Sequence, residues 1–357
     1  MILVLNCGSQ SIKWKIFSKD LKIVEKNKRA VFDSQDYQRL LEAELNKINK
    51  LPIGIIGHRV VHGGKTFIKP IKITDENLAE LEKLNHLAPL HNPFNILGIK
   101  ACQSIFNPSP GSGQEIPQFA VFDTEFFSNL PEKSCTYALP ENIVKEFGFR
   151  KYGFHGISHE YVAKTAAKII KKPFSKLKII TCHLGGGASI TAIKKGKAVD
   201  TSMGFTPMQG LVMMTRAGDL DSGIILELVR EFTLDRANEI LNKESGIKGI
   251  CGESDMRKVL EKIKTRDKRS EGPEQQRRAK LALDVFIYSI QKYIGAYFAI
   301  LGGCDLLVFA GTIGFGSAKI RNMICKNLNI LKKTKILVIE TDEELAIAEK
   351  IIKYKNF

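Results

Sequence analysis

The pattern of apolar and polar positions divides the chain into alternating helices and strands. Apolar residues recur at helical spacing over residues 38–50, 76–85, 158–171, 222–232, 279–301 and 343–355. Short apolar runs predict strands over residues 53–59, 118–122, 306–310 and 335–339. The highly charged stretch 262–278, which contains Gly and Pro, is expected to be a solvated helix end and a loop. This alternation predicts the α/β fold class.

One strand-turn-strand design occurs twice in the chain. ILVLNCGSQSIKWKIFSKDLKIVEK begins at Ile2 and KIITCHLGGGASITAIKKGKAVDTSM begins at Lys178. Each has a turn rich in small residues between two apolar strands, followed by a polar turn and a third strand. Their separation, about half the chain, predicts a duplicated α/β domain whose copies each open with an antiparallel hairpin.

The glycines and serines of these two turns suit anion binding. Glycine lets the backbone approach closely, so that N–H groups converge on a phosphate and nearby hydroxyls add donors. Either turn alone is more typical of an ordinary tight hairpin. Their occurrence at corresponding positions of two half-chains favours a polyphosphate site.

Composition narrows the class of protein. At 357 residues, with 44% hydrophobic and 26% charged residues, the chain is long for one core, and two domains are expected. The net charge of +16 is spread along the chain without a nucleic-acid signature, so we expect anionic small molecules as partners and no nucleic acid. The seven cysteines are scattered and never spaced as C-x-x-C, which disfavours a disulfide framework or a zinc site and indicates a cytoplasmic protein.

Neither a secretory signal nor a membrane span is expected. The N-terminal sequence MILVLNCGSQS turns polar after five residues. The apolar stretch 296–316 contains Asp305 and the Gly302–Gly303 pair, so it is interpreted as a helix that ends at the glycines and is followed by a buried strand.

Four further segments carry the residues suited to chemistry. They are GHRVVHGG from Gly57, FDTEFF from Phe122, YGFHGISH from Tyr152 and DTSMGFTPMQGLVMMTRAGDLDSG from Asp200. Each adjoins a predicted strand end, where open α/β sheets bind ligands. Arg59 and Arg216 lie in apolar or glycine-rich stretches, where burying a guanidinium is costly without an anion. On residues alone, His155 is more typical of a structural hydrogen bonder, and Asp123 is equally typical of a helix N-cap.

These segments, in this order, resemble the acetate kinase family, within the actin-like, sugar-kinase-like phosphotransferase fold. The resemblance runs nearly end to end through NCGSQSIKW, GHRVVHGG, HLAPLHNP, FDTEFF, YGFHGISH, HLGGGAS, DTSMGFTP, TRAGDLDSG, SDMR, KYIGAY and TDEEL. It implies two duplicated actin-like (ribonuclease H-like) domains with a cleft between them. The domains are expected at 1–124 plus 344–357 and at 125–343, the second carrying the nucleotide site.

The resemblance also implies an activity: reversible transfer of the ATP γ-phosphoryl group to acetate or propionate, with Mg²⁺, or else Mn²⁺, as cofactor. A homodimer is implied in the same way. The catalytic residues would be Arg59, Asp123, His155 and Arg216, and the metal would be held by Asn6 and Glu343, with Glu344 as an alternative to Glu343. The acid's methyl group would lie against Val61, Leu90, Phe154 and Pro207.

The implied phosphate and nucleotide residues occur in both halves of the chain. The first turn supplies Ser9, Ser11 and Lys13, and the second half supplies His183, Gly185, Gly186, Gly187, Asp255, Met256, Arg257, Gly311, Thr312, Ile313 and Gly314.

The chain departs from the family pattern mainly in the nucleotide half. Gly186 replaces an asparagine, Met214 and Thr312 replace glycines, and Phe315 replaces a glutamate. Side chains at former glycines would narrow a base pocket, so pyrophosphate stays open as an alternative donor to ATP. A degenerate nucleotide-binding scaffold without turnover is the non-enzymatic alternative.

Overall fold

In the computed structural model, which describes residues 1–9, 11–33, 35–107, 115–264 and 272–355, the strands form two sheets. The chain divides into a first unit, Met1–Ser128 with His155–Tyr161 and Asp342–Phe357, and a second unit, Asn129–Phe154 with Val162–Thr341. The domain boundaries expected from sequence stay a prediction.

The first unit contains a six-stranded sheet in the order β3-β2-β1-β4-β6-β5. β1 and β2 form an antiparallel hairpin that closes at the Gly8–Ser11 pair, whereas β1, β4 and β6 run parallel. The strands are β1 (Ile2–Gly8), β2 (Ser11–Phe17), β3 (Ile23–Ala30), β4 (Ile55–Val60), β5 (Ile71–Lys72) and β6 (Gln118–Phe122).

The second unit contains a five-stranded sheet in the order β11-β10-β7-β8-β9. Its hairpin closes at the Leu184–Ala188 pair, and β7, β10 and β11 run parallel. The strands are β7 (Lys178–Leu184), β8 (Ala188–Lys194), β9 (Lys197–Thr201), β10 (Leu306–Ala310) and β11 (Lys335–Val338). Apart from the extra edge strand β5, both sheets follow one order, with the third, second, first, fourth and fifth strands side by side. The duplicated hairpin design is thereby confirmed.

The helices connect and cover these strands. In chain order they are α1 (Tyr37–Asn46), α2 (Asp75–Glu82), α3 (Asn92–Phe106), α4 (Glu132–Cys135), α5 (Glu141–Phe147), α6 (Gly156–Ile169), α7 (Ser222–Glu231), α8 (Leu234–Glu239), α9 (Gly246–Cys251), α10 (Met256–Lys264), α11 (Gly272–Leu301), α12 (Gly311–Gly316), α13 (Ala318–Cys325) and α14 (Glu343–Lys355).

Strand alternation gives the first sheet two apolar faces. Leu3, Leu5 and Cys7 of β1 pack with Ile12, Trp14 and Ile16 of β2 and with residues of α1 and α3. The alternate residues Ile2 and Val4 face Ala346, Ile347 and Ile351 of α14. Because successive side chains of a strand point to opposite faces, the position of α14 fixes which polar residues share its side of the sheet.

The predicted elements are present, with two corrections. The helix predicted at 279–301 begins at Gly272, because Pro273 is tolerated in a first turn and the following residues favour helix. The prediction of a loop within 262–278 is therefore wrong for residues 272–278, which are helical. Residues 265–271 of this stretch lie outside those described. The second correction is that several helices were not predicted. The longest is α3, with fifteen residues, whose HNPFN start has motif character, and the others are the shorter helices α4, α5, α8, α9, α10, α12 and α13.

The apolar stretch 296–316 is divided as expected. α11 ends at Leu301, Gly302 and Gly303 follow with φ values of +65° and +111°, and β10 begins at Leu306. Among the helices that the structure describes, none combines the length and apolar character needed to cross a membrane.

Candidate active site

Three polar residues lie together at the ends of the parallel strands of the first unit. Asn6 is on β1, Arg59 is on β4, and Asp123 directly follows β6, its N–H bonded to the Val60 carbonyl at 3.0 Å. The strand register pairs Arg59 with Val121 and aligns Leu5 with His58. Gly57, two residues before Arg59, lies against α14, since an added Cβ would come 2.8 Å from Ile347. These polar residues therefore share the α14 side of the sheet.

Arg59 is held by two carboxylates. Its Nε and Nη2 donate to the two Asp123 oxygens at 3.2 and 2.6 Å, and its Nη1 lies 2.9 Å from Glu343 Oε2. Burial disfavours the guanidinium charge, but Asp123 and Glu343 more than offset this, so the pKa of Arg59 is raised. Burial raises the pKa of Asp123, and Arg59 opposes that rise. The two-bond geometry fixes the plane of the guanidinium.

The first turn of α14 brings three consecutive acidic residues to the same place. Asp342 caps the helix by accepting from the Leu345 N–H at 2.8 Å, and Lys15 Nζ lies 2.8 Å from its carboxylate and 3.4 Å from that of Glu344. Burial disfavours the charge of Lys15, yet the two acids raise its pKa. Acidic residues at a helix N-terminus also interact favourably with the helix dipole.

Asn6 contacts both glutamates that the sequence left as alternative metal ligands. Its Nδ2 donates to Glu344 Oε1 at 3.1 Å and to Glu343 Oε2 at 3.4 Å, and its Oδ1 accepts from Arg59 Nη1 at 3.4 Å. Sequence reasoning did not anticipate Lys15 or Asp342 here. The available signal for Lys15 was the alternation of apolar and polar residues along β2, which places Lys13 and Lys15 on one face of the sheet.

The segment carrying His155 is fixed against Asp123. His155 has φ of +58°, unusual for a residue with a side chain, and its N–H donates to the Asp123 carboxylate, while the Gly156 N–H donates to the Asp123 carbonyl at 3.0 Å. A Cβ on Gly156 would lie 2.1 Å from that carbonyl oxygen. Glycine is therefore required where α6 begins.

The remaining first-unit candidates lie on β2 or in loops near the same strand ends. Ser9 is in the hairpin turn, with Ser11 and Lys13 on β2, where Lys13 pairs with Asn6. Val61 is buried and its N–H donates to Asn95 Oδ1 at 3.0 Å, whereas Leu90 is 36% exposed.

Sequence reasoning missed two buried asparagines of α3. Asn95 Nδ2 donates to the Cys7 carbonyl at 2.6 Å, and Asn92 exchanges two 3.0 Å bonds with the His62 backbone. They tie the ends of β1 and β4 to one helix. The available signal was the pair of asparagines three residues apart, which share one helix face.

Arg216 lies in the second unit and has a different environment. Its Nη1 contacts the Pro207 carbonyl at 3.3 Å and Met213 Sδ at 3.9 Å. Among the described residues it has no carboxylate partner, and burial lowers its pKa. A half-buried guanidinium without a counter-ion is suited to receiving an anionic ligand.

The loop around Arg216 is held by its backbone. The Met213 N–H donates to the Arg216 carbonyl at 3.0 Å, and the Met214 N–H donates to the Gly186 carbonyl at 3.3 Å. Gly246, with φ of +64°, leaves no room for a side chain, since its Cβ would lie 2.2 Å from the Met213 carbonyl. Phe154 and Met214 are buried in the same unit.

The second glycine turn lies beside α12, at the ends of the parallel strands β7 and β10. His183 is near the end of β7, and the Gly185 N–H bonds the Gly187 carbonyl at 2.9 Å. A Cβ on Gly185 would lie 3.3 Å from Thr312 Oγ1, whereas one on Gly186 would meet nothing within 4 Å.

α12 contains the other glycine-rich candidates. Gly311 is the first residue of this helix and has φ of +77°. A Cβ there would lie 2.5 Å from the Leu184 carbonyl, so the position requires glycine. Ile313 and Gly314 are buried, whereas Thr312 and Phe315 are exposed.

The SDMR segment forms the start of α10. Asp255 caps this helix by accepting from the Arg257 N–H at 2.9 Å and pairs with the Arg257 side chain at 2.6 Å, which lowers the pKa of Asp255. Met256 is buried. Asp255, Met256 and Arg257 lie in the second unit, which also contains Gly185 and Thr312.

The charge around Asn6 is suited to a divalent cation. Within the described contacts, four carboxylates, those of Asp123, Asp342, Glu343 and Glu344, face the two cationic side chains Arg59 and Lys15. The described residues hold no group of three His, Cys, Asp or Glu side chains arranged to bind a metal. Lys13, opposite Asn6 on the same face, adds a third positive charge, so one negative charge is in excess. A net negative site with few protein ligands fits Mg²⁺, which is commonly held by one or two carboxylates together with substrate phosphates.

The shared strand order, the glycine turns and the arginine-carboxylate site define a phosphotransferase of the actin-like fold. Residues 18–333 match the model of the Acetokinase family. The chain therefore belongs to this family, and the resemblance noted in the sequence is confirmed.

Curated relatives and solved structures agree. The chain is 40% identical to the acetate kinase of Halothermothrix orenii, covering 97% of each chain, and 40% identical to that of Dictyoglomus thermophilum, covering 99% of this chain and 98% of the relative. It is similar to a propionate kinase structure from Francisella tularensis (36% identity, TM-score 0.86, 98% of each chain). It is also similar to Porphyromonas gingivalis acetate kinase (34% identity, TM-score 0.85, 99% of this chain and 98% of that one).

Proposed function

We propose that the protein is an acetate kinase, which reversibly transfers the γ-phosphoryl group of ATP to acetate and forms acetyl phosphate and ADP. The observation that carries this proposal is Arg59, fixed by Asp123 and Glu343 at the ends of parallel strands in a chain of the acetokinase family. Propionate is the second acceptor, since its one extra methylene contributes only about 1–3 kcal/mol to discrimination between propionate and acetate.

The reaction requires no general base. A short carboxylic acid has a pKa near 4 and is ionised at neutral pH. Its oxygen forms a bond to the γ-phosphorus while the bond from phosphorus to the β,γ-bridging oxygen breaks, and ADP keeps the electron pair. The main barrier is the repulsion between two anions, which cationic groups offset.

The two arginines have distinct parts in the proposal. Arg59, with a fixed guanidinium plane, stabilises charge on the equatorial phosphoryl oxygens, and Asp123 positions it. Arg216, which lacks a carboxylate partner among the described residues, supplies a second guanidinium to the transferred group. His155 donates a hydrogen bond to it. Val61, Leu90, Phe154 and Pro207 are proposed to contact the methyl group of the acid.

Acetate kinases use ATP with a divalent metal, and Mg²⁺ is the ion we propose. Glu343 and the amide oxygen of Asn6 would hold it, with Ser9 and Ser11 directed at phosphate or metal-bound water. When bound, the ion neutralises phosphate charge and polarises the phosphoryl oxygens.

ATP is favoured over pyrophosphate as the donor. The space beside Gly186 is open, the side chain of Met214 is buried, and Phe315 is 43% exposed beside the glycine-rich start of α12. An exposed aromatic ring suits stacking on a base. The relatives are named acetate kinases and a propionate kinase, so the scaffold alternative is not favoured.

A cytoplasmic homodimer completes the proposal. No residue of α7 is buried, although five of its ten residues are aliphatic, and Leu226 is 71% exposed. Two copies of α7 crossing antiparallel about a two-fold axis near Leu228 would place Glu227 of one copy opposite Arg230 of the other. Because Arg230 already pairs with Glu227 within one copy, the exposed aliphatic residues of α7, rather than the charges, favour a second copy as the occupant of that face. The seven cysteines, all without disulfide bonds, agree with a cytoplasmic location.

The experiment is a hydroxamate assay for acyl phosphate. Acetate, propionate and butyrate are each combined with ATP, GTP and pyrophosphate in the presence of Mg²⁺, with Arg216→Ala protein as the negative control. Product from acetate and ATP is expected. Product with pyrophosphate alone would contradict ATP as the donor. No product with any pair would favour the alternative of a nucleotide-binding scaffold without turnover.

A further inference from the structure

Lys15 bridges β2 to the first turn of α14. Its Nζ lies 2.8 Å from Asp342 Oδ1 and 3.4 Å from Glu344 Oε2, and its side chain is 20% exposed. Lys15 has no place in the chemistry proposed above. Its contacts nevertheless lead directly to Asn6.

Glu344 links Lys15 to Asn6, because each of its oxygens has a different partner. Oε2 faces Lys15, and Oε1 accepts from Asn6 Nδ2 at 3.1 Å. A carboxylate only accepts hydrogen bonds, so the Asn6 amide must turn its nitrogen toward Glu344. Its oxygen, the only atom of the amide that binds a hard cation, then points away and lies 3.4 Å from Arg59 Nη1.

We propose that Lys15 and Glu344 are positioning residues for the metal site, with Glu344 fixing the orientation of the Asn6 amide and Lys15 fixing Glu344. This inference rests on the proposed function. It also assigns different roles to the two adjacent glutamates: Glu343, next to Arg59, is the ligand, and Glu344 orients Asn6, since it makes the shorter contact with Asn6 Nδ2, at 3.1 Å against 3.4 Å.

Simple electrostatics predicts the opposite sign for loss of Lys15. Removing a positive charge near a bound cation would tighten metal binding. Removing a positioning contact would weaken it, since losing the partner that orients a ligand typically lowers metal affinity about 10- to 100-fold. The direction of the change therefore separates the two accounts.

Lys26 provides a matched control. It is the cross-strand neighbour of Lys15 on β3, on the same face of the sheet, and is exposed. In the part of the chain that the structure describes, Lys26 forms no ion pair. Lys26→Met thus removes the same charge from nearly the same place without touching Glu344.

The experiment is a Mn²⁺ titration of the ADP-bound protein, with free Mn²⁺ followed by electron paramagnetic resonance. Lys15→Met is expected to bind Mn²⁺ about tenfold more weakly. Lys15→Arg is expected to restore most of the affinity, and Lys26→Met to keep it or raise it slightly. In turnover assays the apparent KM for Mg²⁺ of Lys15→Met should rise while that for acetate stays within about twofold.

Glu344→Gln tests the same link from its other end. It is nearly isosteric, so it keeps the packing of α14, and it is also expected to weaken Mn²⁺ binding. Wild-type affinity in both Lys15→Met and Glu344→Gln, or tighter binding in Lys15→Met, would overturn the inference, as would a wild-type protein that binds no Mn²⁺. A wild-type protein that binds Mn²⁺ but forms no acyl phosphate would overturn only the proposed function.

Discussion

The Arg59 guanidinium and the Asp123 carboxylate form a two-bond pair, with Nε–Oδ1 at 3.2 Å and Nη2–Oδ2 at 2.6 Å. The Asp123 side chain is 1% exposed, and that of Arg59 is 16% exposed. The pair leaves Nη1 directed at Glu343 and Asn6. Asp123 thus acts by setting the direction of Arg59, which makes the geometry of the pair as important as its charge.

Replacing Arg59 by lysine should impair catalysis although it keeps the charge. An ammonium group cannot bond both Asp123 oxygens in one plane, so the charge is displaced by about an ångström, and kcat should fall about 100-fold. Steady-state kinetics with acetate and ATP measure this. Arg39→Lys, in an exposed pair with Asp36, is the control and should keep wild-type kinetics. If Arg59→Lys were as active as the wild-type protein, the two-bond geometry would not be required for catalysis.

Arg216→Ala should abolish turnover and leave nucleotide affinity nearly unchanged. A guanidinium that acts on the transferred phosphoryl group contributes a factor of about 10³ or more to the rate. The hydroxamate assay measures the first effect, and calorimetric titration with ADP measures the second. Arg277→Ala, which breaks only an exposed pair with Glu274, should behave as wild type. Substantial activity in Arg216→Ala would exclude this arginine from the reaction.

Gly156→Ala should destabilise the fold. A Cβ at this position would lie 2.1 Å from the Asp123 carbonyl oxygen, and we expect a loss of about 3 kcal/mol or more in the free energy of unfolding. Gly295→Ala, within α11 and with nothing within 4 Å of its Cβ, should be neutral or stabilising by up to about 1 kcal/mol. Urea denaturation compares the two, and similar stabilities would contradict the close approach.

Stability should fall as the pH drops from about 6.5 to about 4. Burial lowers the pKa of His58 from 6.5 to about 4, against a hydrogen bond to Gln118 that raises it. In this range the unfolded chain binds a proton that the folded protein does not, so acid favours unfolding, by up to about 3 kcal/mol for this residue.

Denaturation curves across this pH range test that expectation. His58→Gln should lower stability at neutral pH and flatten the pH dependence, whereas His86→Gln, at an exposed position that acts only through space on His62, should change it much less. An unchanged slope in His58→Gln would show that other groups control acid stability.

The proposed dimer depends on α7. Leu226→Glu places a charge on the exposed apolar face and should shift the protein toward monomer in light scattering at micromolar concentration. Leu281→Glu, at a 46% exposed leucine of α11, is the matched control and should stay dimeric. A wild-type monomer would contradict the proposal directly.

Local sequence determined much of the fold and the members of the candidate site. Hydrophobic spacing predicted β6 and β10 at their observed bounds, and the repeated design predicted the antiparallel hairpin that opens each sheet. Motifs identified Arg59, Asp123 and Arg216 as residues suited to phosphoryl transfer. These features are encoded within a few residues, through side-chain alternation, glycine turns and the chemistry of the guanidinium group.

Only the tertiary structure decided which of these residues have partners. Asn6 and Glu344 are 338 positions apart, and they meet because α14 packs its apolar side on Ile2 and Val4. The same packing sets Lys15 against Asp342. Arg216, in the second unit, contacts the Pro207 carbonyl and, among the described residues, has no carboxylate partner. Long-range burial of apolar surface, which no local pattern reports, places these charges and thereby fixes their pKa values and orientations.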